Sequence, residues 1–492
     1  MAPDRIRSVS LKQGPRGLAY WMAQVLAECR RAGRRFDAEA VHDLRVALRR
    51  CRSMADGMME LDADSAWRKM KRASRKLFRS LSALRDAQVM MEWARKLAPE
   101  EDPFRRRVEE AVKAQELEGQ AKAKRALERF NRKDWRRWSR SLPARARQVP
   151  PDGLAFQHLA LERWREAHEL HRRALRSRSR VAYHRLRIGV KRFRYTVENF
   201  LPSCHREWGA ELKKIQDLLG EVHDLDMLRE VLKPITRNGN REVFRKWQAR
   251  IEEARQSPLE QYRRRTVGKE SQWLVWRAGL PQGERLEEAA MAKLSTWAAF
   301  LTPDFPHARR VAGLALQIFD GFRAASFHPL FREPRMRRIL HGAALLHDVG
   351  QARGRRGHHK ASFRLIRDLP PPLGWTAEEV GRMALVARYH RGAEPEEHHE
   401  GYGSLAPADR QSVTWLAGVL RFADSLDIDH TGRVTRVQVE ISREAITMWV
   451  GDSGHGAPAP DSGGGKRHLL ESLCRRPVVV RGHELAPARS AD

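Results

Sequence analysis

The sequence is poor in the features that mark secreted and membrane proteins. Its 492 residues include only 4 cysteines, and Cys29, Cys51, Cys204 and Cys474 show no paired spacing, which argues against a disulfide framework. No segment approaches the roughly 20 consecutive apolar residues of a membrane span, and the first residues lack the apolar core of a signal peptide. The sequence therefore predicts a cytoplasmic protein with no membrane span.

Acidic residues are scarce relative to basic residues. The chain has 94 Lys and Arg against 62 Asp and Glu, which gives a net charge of +32. Such a field favours a polyanion: inorganic polyphosphate, nucleic acid or an anionic membrane surface. Because the chain lacks an aromatic stacking platform and a known nucleic-acid reader motif, nucleic acid is the less favoured partner.

Length and periodicity predict two or three domains that are mostly helical. Apolar residues recur at helical spacing from Leu18 to Leu97 and from Phe104 to Leu142. The charged segment from Lys233 to Gly283 is interrupted at Ser257-Pro258, which is typical of a helical connector. Residues 433–441 alternate apolar and polar positions and predict a strand, with 445–450 and 477–480 as its partners.

A glycine-rich loop is predicted over residues 451–465. It ends in Gly463-Gly464-Gly465-Lys466, which has the composition of a phosphate-binding loop. Arg467 stands where such a loop needs Ser or Thr, and the glycine spacing also fails, so we discard that interpretation.

The most informative stretch is Leu345-Leu346-His347-Asp348-Val349-Gly350. An apolar run places this helix in a core, and Gly350 is a residue that can end it. Residues 347 and 348 then lie about 100° apart around the helix axis and can reach one ion together. For any single histidine the alternative is a core imidazole bonded to a neighbouring carbonyl. More histidines and aspartates lie in other stretches: His307 before this one, and His358, His359, His390 and Asp424 after it. Burying each of them unpaired would cost several kcal/mol.

A metal ion would satisfy these groups together. Imidazoles with carboxylates form a nitrogen and oxygen site that suits manganese, iron, cobalt, nickel or zinc rather than calcium. Because no cysteine is nearby and open coordination positions are expected, a structural zinc is the less favoured reading. Arginines and lysines surround these residues in sequence, and they can neutralise the charge of a phosphate.

At these residues the span 286–482 resembles the HD-type C-terminal domain of the exopolyphosphatase and guanosine pentaphosphate phosphohydrolase family. The resemblance implies a primary metal-ligand set of His307, His347, Asp348 and Asp424. We assign catalytic roles, near the substrate or a second metal, to His359, His390, Lys360, Arg391 and Asp427. Ala361 stands where the family usually has another histidine, which weighs against a complete second metal site. The actin-like domain that carries hydrolysis in that family is absent.

The first half of the chain repeats itself. The sequence motif that begins at His42 is repeated at His184, an offset of 184 − 42 = 142 residues. Each copy stacks basic side chains on one helical face, separate from an apolar stripe, and the members of each stack fall within about 80° of one another. Like charges at this spacing repel, so the stripe gains from a bound anion. The alternative is an ordinary solvated face.

This duplicated pattern resembles the CHAD domain, the conserved histidine α-helical domain. The resemblance implies two four-helix bundles that enclose a basic pore and bind inorganic polyphosphate. It assigns anion binding to His42, Arg45, Arg49, Arg50, Arg52, Arg75, Lys76, His184, Arg187, Lys191, Arg192, Arg194, Lys213 and Lys214.

The predicted fold is therefore mainly α: a duplicated four-helix-bundle domain, then a helical HD-type domain with a small C-terminal β element. The predicted limits are 17–232 for the CHAD-like domain (repeats 17–142 and 154–232), 233–285 for the connector, 286–432 for the HD-type domain, 433–482 for the β element and 483–492 for a tail.

Two functions follow from these predictions. The first is a polyphosphate-binding protein whose HD-type domain is a metal-dependent phosphohydrolase, acting on polyphosphate or a related phosphoanhydride or nucleotide. The second is a non-enzymatic polyphosphate receptor or scaffold whose HD-like domain only binds ligand. Retention of the whole ligand set favours the enzyme, whereas the missing catalytic domain favours the receptor.

Overall fold

The computed structural model describes residues 17–236, 241–452 and 464–483. It divides into two compact units, Met1–Arg285 and Leu286–Asp492. Eighteen α-helices and one three-stranded sheet occur in the described residues, so the predicted mainly α fold with a small C-terminal β element is confirmed. Within those residues no helix combines the length and the apolar character needed to cross a membrane.

The helices of the first unit are α1 (Leu18–Arg34), α2 (Ala38–Met58), α3 (Ser65–Ala73), α4 (Arg75–Leu97), α5 (Pro103–Glu128), α6 (Arg132–Ala146), α7 (Leu154–Ser177), α8 (Arg180–Phe200), α9 (Pro202–Thr236), α10 (Arg241–Thr266) and α11 (Gln272–Ala278).

The internal repeat is visible in the helices. Helices α2 and α8 have 21 residues each, and their first residues are separated by 180 − 38 = 142 positions. Their N-caps keep the same offset: Asp37 accepts a hydrogen bond from the Ala40 amide at 2.8 Å, and Ser179 accepts one from Ala182 at 3.2 Å. The two capped helices pack against each other in the first unit. The repeated word therefore encodes one helix with its cap, used twice.

The segment 233–285, expected to be a connector, supplies helices that pack into the first unit. Trp247 and Ile251 of α10 share an apolar core with Leu225 and Leu228 of α9 and with residues of α4 and α5. The interruption predicted at Ser257-Pro258 is wrong, because α10 continues through Pro258. A proline removes one helical hydrogen bond, and buried neighbours such as Leu259 and Tyr262 hold the helix in place around it.

The second unit is built on α12 (Gly283–Leu301), α13 (Phe305–Ala324), α14 (Pro334–Leu346), α15 (His358–Arg367), α16 (Ala377–Arg388), α17 (Pro407–Ser425) and α18 (Gly464–Cys474), with short 3-10 helices at Pro329–Arg332 and Val349–Arg353. Helices α13, α14, α16 and α17 surround one continuous apolar core. Their ends converge on one side of that core, where the histidines and aspartates lie.

A small sheet covers α13. Strands β1 (Val434–Ile441) and β2 (Ile446–Asp452) are antiparallel, and β2 is parallel to β3 (Val478–His483). The three predicted strands are thus confirmed, but the predicted pairing of 477–480 with 433–441 is wrong, because that segment pairs with β2 instead. Gln317 of α13 fastens the sheet, since its side chain accepts from the Val437 amide at 2.7 Å and donates to the Thr435 carbonyl at 3.3 Å. Residues 453–463 of the predicted loop and 484–492 of the predicted tail lie outside the described residues.

Candidate functional site

Helix ends bring the candidate metal ligands together. His307 lies in the first turn of α13, whose N-cap Asp304 accepts the His307 amide at 3.1 Å. His347 and Asp348 directly follow α14, and Asp424 lies in the last turn of α17. All four residues are buried, with exposed fractions of 7% or less. The structure thus places the whole predicted ligand set at one point.

Gly350 does not end α14, which stops earlier, at Leu346. Gly350 instead allows its own segment to approach the start of α15 closely. An added Cβ would lie 2.1 Å from the His358 carbonyl oxygen and 2.5 Å from the Ser362 amide nitrogen. The Gly350 amide donates to Ser362 Oγ at 2.8 Å, and that hydroxyl donates to the His347 carbonyl at 2.6 Å. The start of α15 is thereby fastened to the end of α14.

Three histidines near these ligands have the same hydrogen-bond arrangement of their rings. The Nδ1 atoms of His347, His358 and His390 lie 2.7, 2.9 and 2.7 Å from the carbonyl oxygens of the residues three positions earlier. A carbonyl only accepts, so each Nδ1 carries the proton and donates it. Each Nε2 is then directed at the neighbouring aspartates, and this orientation is the one that a metal-ligating imidazole needs.

The carboxylates lie among these nitrogens. Asp348 Oδ1 is 3.0 Å from His358 Nε2 and 3.8 Å from His390 Nε2, and Asp348 Oδ2 is 3.5 Å from His347 Nε2. Asp424 Oδ1 is 3.2 Å from His307 Nε2 and 3.8 Å from His347 Nε2. Four imidazoles and two carboxylates therefore form one buried group, which we name the His-Asp cluster: His307, His347, Asp348, His358, His390 and Asp424.

The electrostatics at Asp348 and His390 suit metal ligands. Burial alone would raise the pKa of Asp348, but the nearby His347 and the hydrogen bond from His358 hold it below its ordinary value. Burial, reinforced by His347, lowers the pKa of His390 to about 3. At neutral pH the carboxylate is therefore ionised and the His390 ring is neutral, which are the forms that bind a metal.

The geometry of the cluster fits a bound cation. His347 Nε2 is buried and finds no hydrogen-bond partner among the described residues, although two carboxylates lie within 4 Å of it. Leaving such an atom unpaired costs about 1–3 kcal/mol. The candidate ligands form two groups of three, and the ligand atoms within each group lie within 4.8 Å of one another. One group is His307, His347 and Asp424, and the other is His347, Asp348 and His390. Nitrogen and oxygen donors of this kind fit a divalent transition metal.

Asp427, predicted to be catalytic, lies behind His307 rather than in the cluster. Its Oδ2 accepts from His307 Nδ1 at 2.7 Å and from Arg310 Nε at 2.9 Å, and its Oδ1 accepts from the Gly432 amide at 2.7 Å. Both oxygens are thus occupied by the protein itself. Asp427 fixes the His307 ring so that its Nε2 faces Asp424, which is a supporting role.

The remaining residues predicted to be catalytic are divided between the cluster and its rim. His390 is part of the cluster, whereas His359 is partly exposed, and its ring centre is 6.5 Å from that of His390. Lys360 and Arg391 are exposed. Together with burial and His358, these two cations lower the pKa of His359 to about 4. The structure therefore places a basic rim beside the cluster.

Sequence reasoning missed two residues of this site. His358, rather than His359, faces the cluster, with its Nε2 3.2 Å from His390 Nε2. Lys466 forms an ion pair with Asp424 Oδ2 from the first turn of α18. The adjacent pair His358-His359 was a signal for the first residue, but choosing between them requires the phase of α15. The sequence signal for Lys466 was the glycine-rich motif Gly463-Gly464-Gly465-Lys466, which we had discarded as a phosphate-binding loop.

In the first unit, basic residues of the two repeats meet where α2 and α8 pack. Burial, together with Arg187, Arg49 and Arg45, lowers the pKa of Lys191 to about 8. The ring of Tyr195 lies between the repeats, 5.8 Å from the Arg49 guanidinium and 5.8 Å from Lys191 Nζ. We name Arg45, Arg49, Arg187 and Lys191 the basic cleft. It contains cations that repel one another, which favours an anionic ligand.

Acidic and imidazole groups from α2, α4, α8 and α9 also lie near this cleft. Burial raises the pKa of Asp224 to about 6 despite the opposing charge of Arg187. Asp86 is close to Arg187, Arg45 and Lys191. His184 and His223 approach to 3.3 Å between their Nδ1 atoms, and His42 lies near Arg45 and Arg49. These carboxylates limit the net positive charge of the cleft.

Other residues predicted to bind anions are engaged elsewhere. Arg50 and Arg194 both form ion pairs with Glu198, and Arg52 donates to Ser74 Oγ at 2.9 Å. Arg192 pairs with Glu166 at 3.0 Å and Lys213 with Asp217 at 2.6 Å. The exposed ones are Arg75, Lys76, Arg192, Lys213 and Lys214. The structure thus brings together only part of the predicted set.

Fold and sites define a mainly helical chain that joins a duplicated bundle with a basic cleft to a helical domain with a His-Asp cluster. Residues 18–233 match the CHAD domain, and residues 291–450 match the Ppx/GppA phosphatase, domain III. The two units of the chain thus carry segments that are similar to a CHAD domain and to a Ppx/GppA phosphatase domain III. These similarities indicate a polyphosphate-related function.

One solved structure that is similar to part of this chain is the crystal structure of the CHAD domain from the plant Ricinus communis. It is 20% identical, covers 56% of this chain and 96% of that chain, and aligns with a TM-score of 0.35.

Proposed function

We propose that this chain binds inorganic polyphosphate in the basic cleft and hydrolyses a phosphate ester or phosphoanhydride at the His-Asp cluster. The observation that carries the proposal is the buried Nε2 of His347, which has no hydrogen-bond partner among the described residues and lies within 4 Å of two carboxylates. A divalent ion beside this atom would be coordinated by the nitrogen and by both carboxylates. The cluster's donors select a divalent transition metal, whose identity stays open among Mn, Fe, Co, Ni and Zn.

The ligand set would be His307, His347, Asp348 and Asp424, with His358 and His390 beside Asp348. When bound, a divalent ion supplies two things: it lowers the pKa of a coordinated water, and it neutralises charge on a phosphoryl oxygen. His358 and His390 would extend the site toward a second ion, because their Nε2 atoms both approach Asp348 Oδ1. For this role the sequence had named His359 and His390, and we propose His358 in place of His359.

The protein's own residues would hold the substrate and exclude solvent. Lys360 and Arg391 on the rim carry the positive charge that a phosphate needs outside the cluster. Asp427 and Arg310 hold His307 in one orientation, so that the site is preorganised before substrate arrives. The cluster residues themselves are nearly fully buried, which excludes water from the reacting group and strengthens these interactions.

In the first unit, polyphosphate would bind by charge. Arg45 and Arg49 from one repeat and Arg187 and Lys191 from the other offer four cations to successive phosphates of a linear chain. Each phosphate contact displaces a counterion, so the affinity would be high at low salt and would fall steeply with ionic strength.

One observation favours the alternative function, a non-enzymatic polyphosphate receptor. The matched family description is that of domain III of a phosphatase, so the matched name belongs to a protein with further domains. In that reading the chain binds polyphosphate in the basic cleft, and the His-Asp cluster binds a ligand without hydrolysing it.

The deciding experiment is phosphate release by the purified full chain from polyphosphate and from nucleotides, with Mn, Fe, Co, Ni and Zn tested separately. We expect release with at least one metal, loss of release with a chelator, and loss in Asp348→Asn. Asp368→Asn is the matched control, because Asp368 is an exposed carboxylate paired with Arg367. If the parent releases no phosphate with any metal while it still binds polyphosphate, the receptor reading replaces the enzyme.

A further inference from the structure

Lys466 contributes a cation to the His-Asp cluster from outside the matched family segment, which ends at residue 450. Its Nζ lies 2.5 Å from Asp424 Oδ2. Helix α18 holds it there by packing on α17: Leu470 is buried, and its Cα would lie 3.6 Å from a Cβ added to Gly418. The position of this ammonium group is therefore fixed by the core.

The two oxygens of Asp424 face different partners. Oδ1 approaches His307 Nε2 and His347 Nε2, whereas Oδ2 approaches Lys466. Asp424 can thus serve a metal with one oxygen and Lys466 with the other. An ammonium group has three N–H donors, and the ion pair with Asp424 uses one of them.

Lys466 also lies on the solvent side of the cluster. Its side chain is 25% exposed, compared with 10% for Asp424 and 1% for His307. A ligand that enters from solvent therefore meets Lys466 beside the metal-ligand candidates. A compact ammonium group is well suited to contacting phosphate oxygens as a point charge.

We propose that Lys466 is a substrate-binding residue whose ammonium group holds a phosphoryl oxygen of the substrate at the Asp424 edge of the His-Asp cluster. This inference rests on the proposed function of that cluster. It assigns phosphate recognition to α18, a helix beyond the matched segment. The substrate class it selects is one with a phosphoryl group free to enter the cluster, such as the end of a polyphosphate or a terminal phosphate.

The competing account is that Lys466 merely neutralises Asp424. The two accounts make opposite predictions about metal and phosphate. A neutralising lysine competes with the metal for Asp424, so its removal would tighten metal binding and leave phosphate binding unchanged. A substrate-binding lysine would leave metal content intact and weaken phosphate binding when removed.

The test uses the metal-loaded full chain in four forms: parent, Lys466→Met, Lys466→Arg and Arg467→Met. Inorganic phosphate is titrated by calorimetry, metal content is measured by elemental analysis, and KM and kcat are measured on a short polyphosphate. Arg467→Met is the matched control, because the neighbouring Arg467 pairs with Glu471 instead.

We expect Lys466→Met to keep its metal and to bind phosphate on the order of tenfold to a hundredfold more weakly, the loss typical of one charge-assisted hydrogen bond. KM should rise accordingly, Lys466→Arg should recover most of the affinity, and Arg467→Met should match the parent. Unchanged phosphate affinity in metal-loaded Lys466→Met, or tighter metal binding without a phosphate effect, overturns the inference alone. A parent that takes up no metal overturns the proposed function together with it.

Discussion

At the scale of single residues, the two nitrogens of each cluster histidine have separate tasks. In His347, His358 and His390 the Nδ1 atom donates to a carbonyl one helical turn back. This hydrogen bond is local, so it fixes the ring without requiring a partner from another element. The Nε2 atoms are then committed to the cluster. His307 achieves the same orientation with a carboxylate, that of Asp427.

The pair His358 and His359 provides a test at this scale. We expect His358→Ala to lower the affinity of the purified protein for divalent metal by at least roughly the tenfold typical of removing a supporting group. His359→Ala should leave it unchanged, because His359 lies on the rim. Competition with a fluorescent chelator measures both. Equal losses in the two variants would contradict the assignment of His358 to the cluster.

Lys191 provides a second residue-scale prediction. Burial and neighbouring arginines lower its pKa to about 8, so it is charged at pH 7 and neutral at pH 9. Polyphosphate affinity should therefore fall as the pH rises from 7 to 9. The groups that face it are Arg187 on its own helix, Arg45 and Arg49 on α2, Asp86 on α4 and His223 on α9.

Those neighbours do not reproduce the effect. The arginines stay charged, and burial together with Arg187 lowers the pKa of His223 to about 4, so it is neutral throughout this range. Lys191→Arg should remove the pH dependence, because arginine keeps its charge above pH 12. A fluorescence titration at pH 7 and pH 9 provides the comparison. An equal fall in parent and variant would mean that another group is responsible.

The residue scale also shows where sequence reasoning ends. His307, His347, Asp348 and Asp424 could be named because their helical stretches and the family resemblance agreed. Choosing His358 over His359 required knowing that α15 begins at His358 and that Gly350 allows its close approach. Lys466 could not be placed, because its partner Asp424 is 42 residues away in sequence.

At the scale of elements, the helices follow from short-range information. The caps Asp37 and Ser179 and the repeated apolar stripe predict α2 and α8 with little need for tertiary context. Helix α10 is the counterexample, because its Pro258 suggested a break that the apolar burial on both sides overrides. The basic stripe was also only partly informative, since Glu198 neutralises Arg50 and Arg194.

The contact between α14 and α15 gives a prediction at this scale. Gly350→Ala would place a methyl group 2.1 Å from the His358 carbonyl oxygen. We expect the free energy of unfolding to fall by about 1–3 kcal/mol, as for other overpacked sites, and metal affinity to fall as His358 shifts. Denaturant unfolding and metal titration measure these two effects.

Gly381→Ala is the control for that prediction. Gly381 lies inside α16, and an added Cβ there would meet nothing within 4 Å. Alanine should stabilise the helix by up to about 1 kcal/mol. If Gly350→Ala is as harmless as this control, the close approach does not hold α15 in place.

At the scale of the whole molecule, the net charge of +32 shows that a polyanion is favoured but not where it binds. The structure reduces the candidate cations to four that meet across the two repeats. Replacing Arg45, Arg49, Arg187 and Lys191 with alanine should lower polyphosphate affinity far more than removing four exposed arginines elsewhere. The matched control is the quadruple alanine variant of the exposed residues Arg125, Arg129, Arg136 and Arg140.

Both variants change the net charge by the same amount, so the comparison separates a site from a general field. In the parent, the logarithm of the association constant should fall linearly with the logarithm of the salt concentration. The cleft variant should show a shallower slope and the control a slope close to that of the parent. Equal losses in the two variants would identify the stripe as an ordinary solvated face.

The whole chain also shows what a sequence resemblance can and cannot deliver. The two family resemblances and the mainly α fold were predicted from repeated words and ligand-bearing helices, and both are confirmed. The packing of residues 241–278 into the first unit was not predicted, because a charged, proline-containing segment carries no signal for the long-range partners of Trp247 and Trp273. The predicted domain limits and the assigned site roles stay predictions.

The most direct test of the account is the metal content of the full chain, purified without added metal and again after loading, in the parent and in His347→Gln. We expect at least one divalent transition metal per chain in the loaded parent and a large loss in His347→Gln. His468→Gln, which alters an exposed histidine paired with Glu394, should retain the parent's content. A parent that binds no metal after loading, or a His347→Gln variant with full content, would contradict the claim that the His-Asp cluster is a metal centre.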